Sequence, residues 1–261
     1  PNYGNTTLQI GDGDHVAVTT GIITLADFRM RHIAAGGEGA PLAVYGDFFV
    51  FAKAGQDRIL LNMGGISNFT YLPGDLDASK VFTTDTGPGN TLLDAITRKF
   101  YPAMDYDEDG KIALSGQIHE PLLQALKDHP FFTAPFPKTT GPEVFNLAYL
   151  QAAQEKTQTQ NLGAPDLLRT LAQFSADTIV NGIKRVIGNQ AFSFYLSGGG
   201  AHNPALTGAI QAQFPGASFQ STDVLGIPGD AKEAVLFAIL ANEAVAGGET
   251  SFGGRHKVPS V

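Results

Sequence analysis

An α/β fold is predicted, on three observations. Short apolar runs with strand spacing alternate with segments of helical period. Three glycine-rich loops each follow one of those strands, and no period of 20–50 residues repeats, which excludes a solenoid. Glycine numbers 31 in 261 residues, well above the usual ~7%. It clusters in a few short runs, the pattern of tight backbone loops arranged around a ligand.

Within residues 1–60, Leu8-Gln9-Ile10 precedes Gly11-Asp12-Gly13, and His15-Val16-Ala17-Val18 and 22–26 follow. Strands and one short helix are expected there. Residues 58–62 form an apolar strand entering Met63-Gly64-Gly65. Residues 66–72 alternate and close at Pro73-Gly74-Asp75, giving a β-hairpin bent at the Gly-Gly pair. A third strand over 80–84 ends at Asp85-Thr86-Gly87-Pro88-Gly89-Asn90. From Asn90 the period changes, and Leu92, Leu93, Ile96 and Phe100 fall on one helical face. Residues 101–163 are helical in patches. Pro165 opens a long helix, at a first-turn position where its missing N–H costs little. That helix runs to Ile187 and ends at Gly188-Asn189. Residues 192–196 form a strand entering Ser197-Gly198-Gly199-Gly200-Ala201-His202-Asn203, Pro204 begins a helix, 219–221 a short strand, and 230–245 the last helix.

Composition narrows the function. The net charge is −8 and charged residues are 16%, against ~25% in an average domain. No basic face is visible for nucleic acid, and no apolar run approaches the ~20 residues of a membrane span. With no cysteine, disulfides, thiolate zinc, iron–sulfur ligation and a Cys nucleophile are excluded; a cytoplasmic location is expected. Pro1-Asn2-Tyr3-Gly4 has no initiator Met and no signal-peptide character, which suggests upstream sequence outside this chain. The polar, Gly-rich segment 247–261 reads as an exposed end without chemistry.

Several motifs fail. Asp105-Tyr106-Asp107-Glu108-Asp109-Gly110 opens like a calcium loop, but its twelfth position is Gly116 rather than the bidentate Glu such loops need. It is expected to be an acidic solvated turn. The six histidines show no metal spacing and are taken as surface imidazoles. No GxxxxGK[ST], GxGxxG or GxSxG is present.

The glycine loops survive. Asn62-Met63-Gly64-Gly65-Ile66-Ser67-Asn68 joins two strands, and its amides with Ser67 are potential anion donors; an ordinary tight hairpin reads equally well. Asp85-Thr86-Gly87-Pro88-Gly89-Asn90 sets a carboxylate and several amides near a helix start. Asn90 is expected to be the helix cap, which frees Asp85 for chemistry. Three successive glycines at 198–200 exceed the needs of a turn and suit a flat ligand against bare backbone.

In that order these loops resemble the ATPase domain shared by actin, Hsp70 and sugar kinases. Ala26-Asp27-Phe28-Arg29, Gly39-Ala40-Pro41-Leu42, the 62–68 and 85–90 loops, Pro137-Lys138-Thr139-Thr140-Gly141, the 197–203 loop, and Gly226-Ile227-Pro228 with Asp230, Glu233 and Ala234 resemble the anhydro-N-acetylmuramic acid kinase family. The resemblance implies an actin-like ATPase fold with part of the first lobe outside the chain: 1–56 as its remnant with the substrate region, 57–261 as the second lobe. It implies a kinase that uses ATP and Mg²⁺ to hydrolyse 1,6-anhydro-N-acetylmuramic acid and phosphorylate O6. A related sugar kinase, or a non-catalytic nucleotide-binding fragment of that fold, is the alternative. Asp85 is then the base that activates water. Asn62, Gly64, Gly65 and Ser67, with Gly87 and Gly89, hold phosphates, and Gly198, Gly199, Gly200 and Asn203 hold adenosine. Asp27, Arg29 or Arg31, and Glu233 bind the sugar, an arginine pairing with its lactyl carboxylate. Lys138 and Thr139 face the substrate or nucleotide. Neither nucleic acid nor a membrane is an expected partner; a homodimer is the candidate assembly.

Overall fold

The computed structural model describes residues 8–35, 39, 42–187, 192–228, 231–248, 250 and 252. Its helices are α1 (Gly13–Thr20), α2 (Phe28–Ala34), α3 (Ala43–Phe51), α4 (Thr91–Phe100), α5 (Lys111–Leu114), α6 (Glu120–Lys127), α7 (Pro130–Thr133), α8 (Leu147–Thr157), α9 (Ala164–Ile187), α10 (Pro204–Gln211) and α11 (Lys232–Ala246). Its strands are β1 (Arg58–Met63), β2 (Ile66–Leu72), β3 (Phe82–Pro88), β4 (Ser193–Ser197) and β5 (Ser218–Ser221). The α/β class is as expected. No helix among the described residues is long and apolar enough to cross a membrane.

The chain forms two compact units: 1–56 with 72–82 and 230–261, and 57–71 with 83–229. The second contains a five-stranded sheet in the order β3-β2-β1-β4-β5. β1 pairs parallel with β4, and β4 with β5. The two residues between β1 and β2 permit only the antiparallel hairpin, so the sheet is mixed. β1 is buried at Ile59, Leu60, Leu61 and Met63, the near-continuous apolar run of a strand covered on both faces. A core of Leu92, Leu93, Ile96, Leu122, Leu126, Leu168, Leu171 and Phe174 joins α4, α6 and α9. The 24-residue α9 is its spine, and the packing of its apolar face supplies more stability than its helix propensity.

In the first unit, α11 packs on α3: Leu236 lies so close to Gly46 that a Cβ there would come within 2.4 Å of its Cδ1. Lys232 Nζ is 2.9 Å from the buried Asp47 carboxylate. This packing groups the last helix with residues 1–56.

Four expectations are corrected. No strand forms over the described residues before β1. Instead Asp12 Oδ1 accepts the His15 N–H at 3.0 Å and Gly21 closes α1 in the left-handed region. A helix satisfies its own backbone, whereas a strand needs a neighbour; Val16, Val18, Ile22 and Ile23 remain exposed. The third strand begins at Phe82 rather than residue 80 and runs through Asp85 to Pro88. Asp105–Gly110 is not wholly a solvated turn: the buried Asp107 accepts the N–H groups of Ile112 and Ala113, both at 2.9 Å. The histidines are not all surface groups either. His32 is buried and accepts the Gly39 N–H, while His119 and His129 cap α6 and α7. Pro1-Asn2-Tyr3-Gly4, Gly188-Asn189, Asp230 and most of the 247–261 tail lie outside the described residues.

Candidate active site

Because β1 and β4 are parallel with Asn62 opposite Ser197, the 62–68 and 197–203 loops leave the same sheet end. In parallel sheets the carboxyl ends of the strands are where ligands bind. The 85–90 loop is fastened there by backbone bonds: Gly89 N–H and Thr91 N–H donate to Gly65 O at 2.8 and 3.1 Å, and Asn90 N–H to Gly64 O at 2.8 Å. Asn90 Nδ2 donates to Met63 O at 3.2 Å, and Ser175 Oγ of α9 to Gly89 O at 3.0 Å. Asn90 is at the N-cap position of α4, yet its side chain makes no cap bond. That corrects the expected division of labour: the amides at the start of α4 hold the neighbouring loop instead of pointing at an anion.

The glycines separate into two kinds. At Gly89 a Cβ would stand 2.3 Å from Gly64 O, and at Gly198, which has φ +80°, 2.8 Å from Met63 C and O. Gly87, Gly89 and Gly200 are buried, and Gly87 lies against the Phe132 ring. The protein's own packing requires these. Gly64 and Gly199 differ: a Cβ at either would meet nothing closer than 3.5 Å. Gly199 is exposed and Gly64 partly so. Their bare backbone is therefore not explained by any protein neighbour, which is what close approach of a ligand requires.

Two expected ligand-side residues are turned inward. Asn203 Oδ1 caps α10 by accepting the Ala205 N–H at 3.0 Å. Ser67 is fully buried, and its Oγ has no hydrogen-bond partner among the described residues; it lies against Gly89, whose Cβ would come within 2.6 Å of it. An outward phosphate contact from Ser67 would need the hydroxyl to leave that position.

Asp85 is half-buried on β3, beside fully buried Thr84 and Thr86. Its N–H donates to Lys138 O at 2.9 Å, and its Oδ2 accepts the Thr140 N–H at 2.8 Å. Oδ1 has no hydrogen-bond partner among the described residues. Burial pushes the carboxyl above the ordinary Asp value, and the Thr140 N–H pulls it part of the way back. A carboxylate with one oxygen anchored, the other free and a raised proton affinity is suited to accept a proton. The Thr140 N–H contact with Asp85 is what local sequence reasoning missed: a backbone N–H reaching a carboxylate 55 positions away leaves no signature beyond the motif around it.

The sugar-side candidates lie in the first unit. Arg29 Nη1 donates to Gly39 O at 3.1 Å, and Nη2 faces Glu233 Oε1 at 3.6 Å. Arg29 and Glu233 are brought together; Arg31, on α2, is exposed. Asp27 occupies the N-cap position of α2 with φ 65° and makes no side-chain cap bond. Such a left-handed non-glycine residue carries strain of order 1–3 kcal/mol.

Residues 2–252 match the anhydro-N-acetylmuramic acid kinase family. The anhydro-N-acetylmuramic acid kinase of Pseudoalteromonas atlantica is 54% identical over 99% of this chain and 65% of its own length. That of Pseudoalteromonas translucida is 52% identical over 94% of the chain and 62% of its own length. The chain thus spans less than two thirds of these curated relatives. Among solved structures, the activator of the 2-hydroxyisocaproyl-CoA dehydratase from Clostridium difficile with bound ADPNP is 14% identical, with a TM-score of 0.43 over 78% of this chain and 68% of that one.

Proposed function

Because this chain belongs to the anhydro-N-acetylmuramic acid kinase family, we propose that the protein cleaves the 1,6-anhydro bond of 1,6-anhydro-N-acetylmuramic acid with water and phosphorylates O6 from ATP. The products are N-acetylmuramic acid 6-phosphate and ADP. The observation that carries the reading is Asp85, with Oδ2 held by Thr140 and Oδ1 free at the rim of the glycine loops.

In this reading Asp85 Oδ1 takes a proton from water as the water oxygen bonds to the anomeric carbon. The C1–O6 bond breaks, O6 carries its electron pair to the γ-phosphorus, and ADP leaves. The electrophile is the anomeric carbon, so the protein's task is to orient the water and deprotonate it as the bond forms. Phosphoryl transfer asks chiefly for positioning and charge neutralisation. Gly64 with Asn62 and Gly65 lines the phosphate path, and Gly199 the adenosine side, with Gly198 and Gly200 shaping that loop. Gly87, Gly89, Ser67 and Asn203 support these loops from within. Mg²⁺ bound with ATP would supply neutralisation of phosphate charge, a hard cation that usually needs only one or two protein carboxylates beside phosphates and water. Among the described residues no group of three or more His, Asp or Glu side chains forms a metal site.

Arg29 pairs bidentately with the lactyl carboxylate of the sugar. Glu233 already faces that guanidinium at 3.6 Å, so sugar carboxylate and Glu233 compete for it, while Asp27 and Glu233 take sugar hydroxyls. The reaction is cytoplasmic, where ATP is. ADP release measured across anhydro sugars and ordinary hexoses tests the substrate. Strict preference for 1,6-anhydro-N-acetylmuramic acid is expected, and preference for glucose overturns the reading.

A further inference from the structure

β3 is an edge strand of the sheet, and a segment far away in sequence covers it at Asp85. Lys138 O accepts the Asp85 N–H at 2.9 Å, Lys138 N–H donates to Thr84 Oγ1 at 3.0 Å, and Thr84 Oγ1 lies 3.2 Å from Lys138 O. Two residues on, the Thr140 N–H reaches Asp85 Oδ2 at 2.8 Å. Lys138 thus makes three hydrogen bonds to the strand, through its N–H and its carbonyl, beside the Thr140 contact with the carboxylate.

The segment is itself pinned by two cations. Lys138 Nζ donates to Phe131 O and sits 4.2 Å from the Phe131 ring centre and 4.9 Å from that of Phe136. Arg185 of α9 donates to Phe132 O at 2.9 Å and Ala134 O at 3.1 Å, with its guanidinium 4.5 Å from the Phe136 ring centre. Both charges are thereby turned to the strap's carbonyls and rings. Thr140 N–H is the one polar group of the strap that the structure bonds to the Asp85 carboxylate.

We propose that Thr140 is the positioning residue of Asp85: its backbone N–H fixes Oδ2 in a strap locked by Lys138 and Arg185, and so presents Oδ1 to the reacting water. The inference rests on the reading of Asp85 as the base, and assigns to residues 138–140 a task distinct from contacting substrate or nucleotide. A carboxylate with both oxygens mobile has no fixed reactive lone pair, and small misplacements of a catalytic group are costly in rate. The Thr140 hydroxyl takes no part, since Oγ1 is buried without a partner among the described residues.

The test replaces the amide, not the side chain. Incorporating the α-hydroxy analogue of threonine at 140 turns the N–H into an ester oxygen while keeping the side chain; Thr140→Val keeps the N–H and removes the hydroxyl. The Asp85 carboxyl is followed by ¹³C NMR in the full-length protein, assigned by its loss in Asp85→Asn. Hydrogen bonding to the charged form lowers a carboxyl pKa, so the ester is expected to raise the Asp85 midpoint by about one pH unit, the size of one charge-assisted bond. kcat is expected to fall about tenfold with KM for ATP unchanged. Thr140→Val, which keeps the N–H on Asp85 Oδ2, leaves the Asp85 midpoint within error. An unmoved midpoint in the ester variant overturns the proposal. Because the midpoint is read without turnover, an active Asp85→Asn would sink the base assignment separately from the strap.

Discussion

The two units of this chain handle their candidate chemistry in opposite ways. In the second, the 62–68 and 85–90 loops are joined largely through backbone groups: carbonyls of 64 and 65 receive the N–H groups of Gly89, Asn90 and Thr91, Met63 O receives Asn90 Nδ2, and 138–140 bonds to β3. In the first, the candidate sugar-side residues are held by side-chain contacts: Arg29, partly buried, donates to Gly39 O at 3.1 Å and faces a largely exposed Glu233 at 3.6 Å. Chemistry that depends on sub-ångström placement sits where backbone fixes it. In the proposed reading, recognition of the sugar's carboxylate and hydroxyls is left to side chains that can exchange partners.

The largest expected effect is on the rigid side. Asp85→Asn keeps an oxygen for the Thr140 N–H but cannot take a proton, so turnover falls by ~10²–10⁴-fold while ATP affinity, read by calorimetry, stays put. Stability moves the other way. Burial raises the folded pKa of Asp85, so its contribution is fully present below the unfolded Asp value and lost as pH rises through the folded value. At pH 7 Asp85→Asn is therefore expected to melt at or above the wild-type temperature, and a lower Tm would mean the carboxylate is structurally required. For the same reason the acid limb of kcat/KM lies above an ordinary Asp value, and activity disappears as pH falls through it.

The glycines offer a sharper contrast within the second unit. Gly89→Ala places a methyl 2.3 Å from Gly64 O, an overpacking expected to cost about 1–3 kcal/mol or more in chemical denaturation. Gly199→Ala meets only Asn90 Nδ2 at 3.5 Å and is expected to leave stability unchanged while weakening ATP binding several-fold in titration. Equal stability losses at both sites would erase the distinction between glycines required by packing and glycines kept for a ligand.

The smallest effects belong to the first unit. Arg29→Lys keeps charge but loses the fork geometry, so KM for the sugar is expected to rise with kcat nearly unchanged. Glu233→Gln, removing one side of a solvent-screened pair, is expected to alter stability by no more than about 0–1 kcal/mol, as thermal unfolding would show. A large stability loss there would place that ion pair among the fold's supports and end the contrast between the units.

The sequence by itself determined the α/β class, the hairpin at Gly64-Gly65, the long helix to Ile187, the three glycine loops and the family resemblance, because strand and helix periods and glycine runs are local signals. It singled out Asp85, Arg29 and Glu233 as chemistry-bearing. It misread residues 8–26, since apolar alternation there satisfies a short helix as well as a strand, and only a neighbour decides between them. Packing across long sequence separations sets α11 on α3, turns Asn90 Nδ2 to Met63 O and Asn203 Oδ1 to the Ala205 N–H, and buries Ser67. It also separated Gly64 and Gly199 from the glycines that packing demands. Each of these is settled by what stands within a few ångströms across long sequence separations, as when the Thr140 amide meets Asp85, and a backbone N–H is the same in every residue but proline.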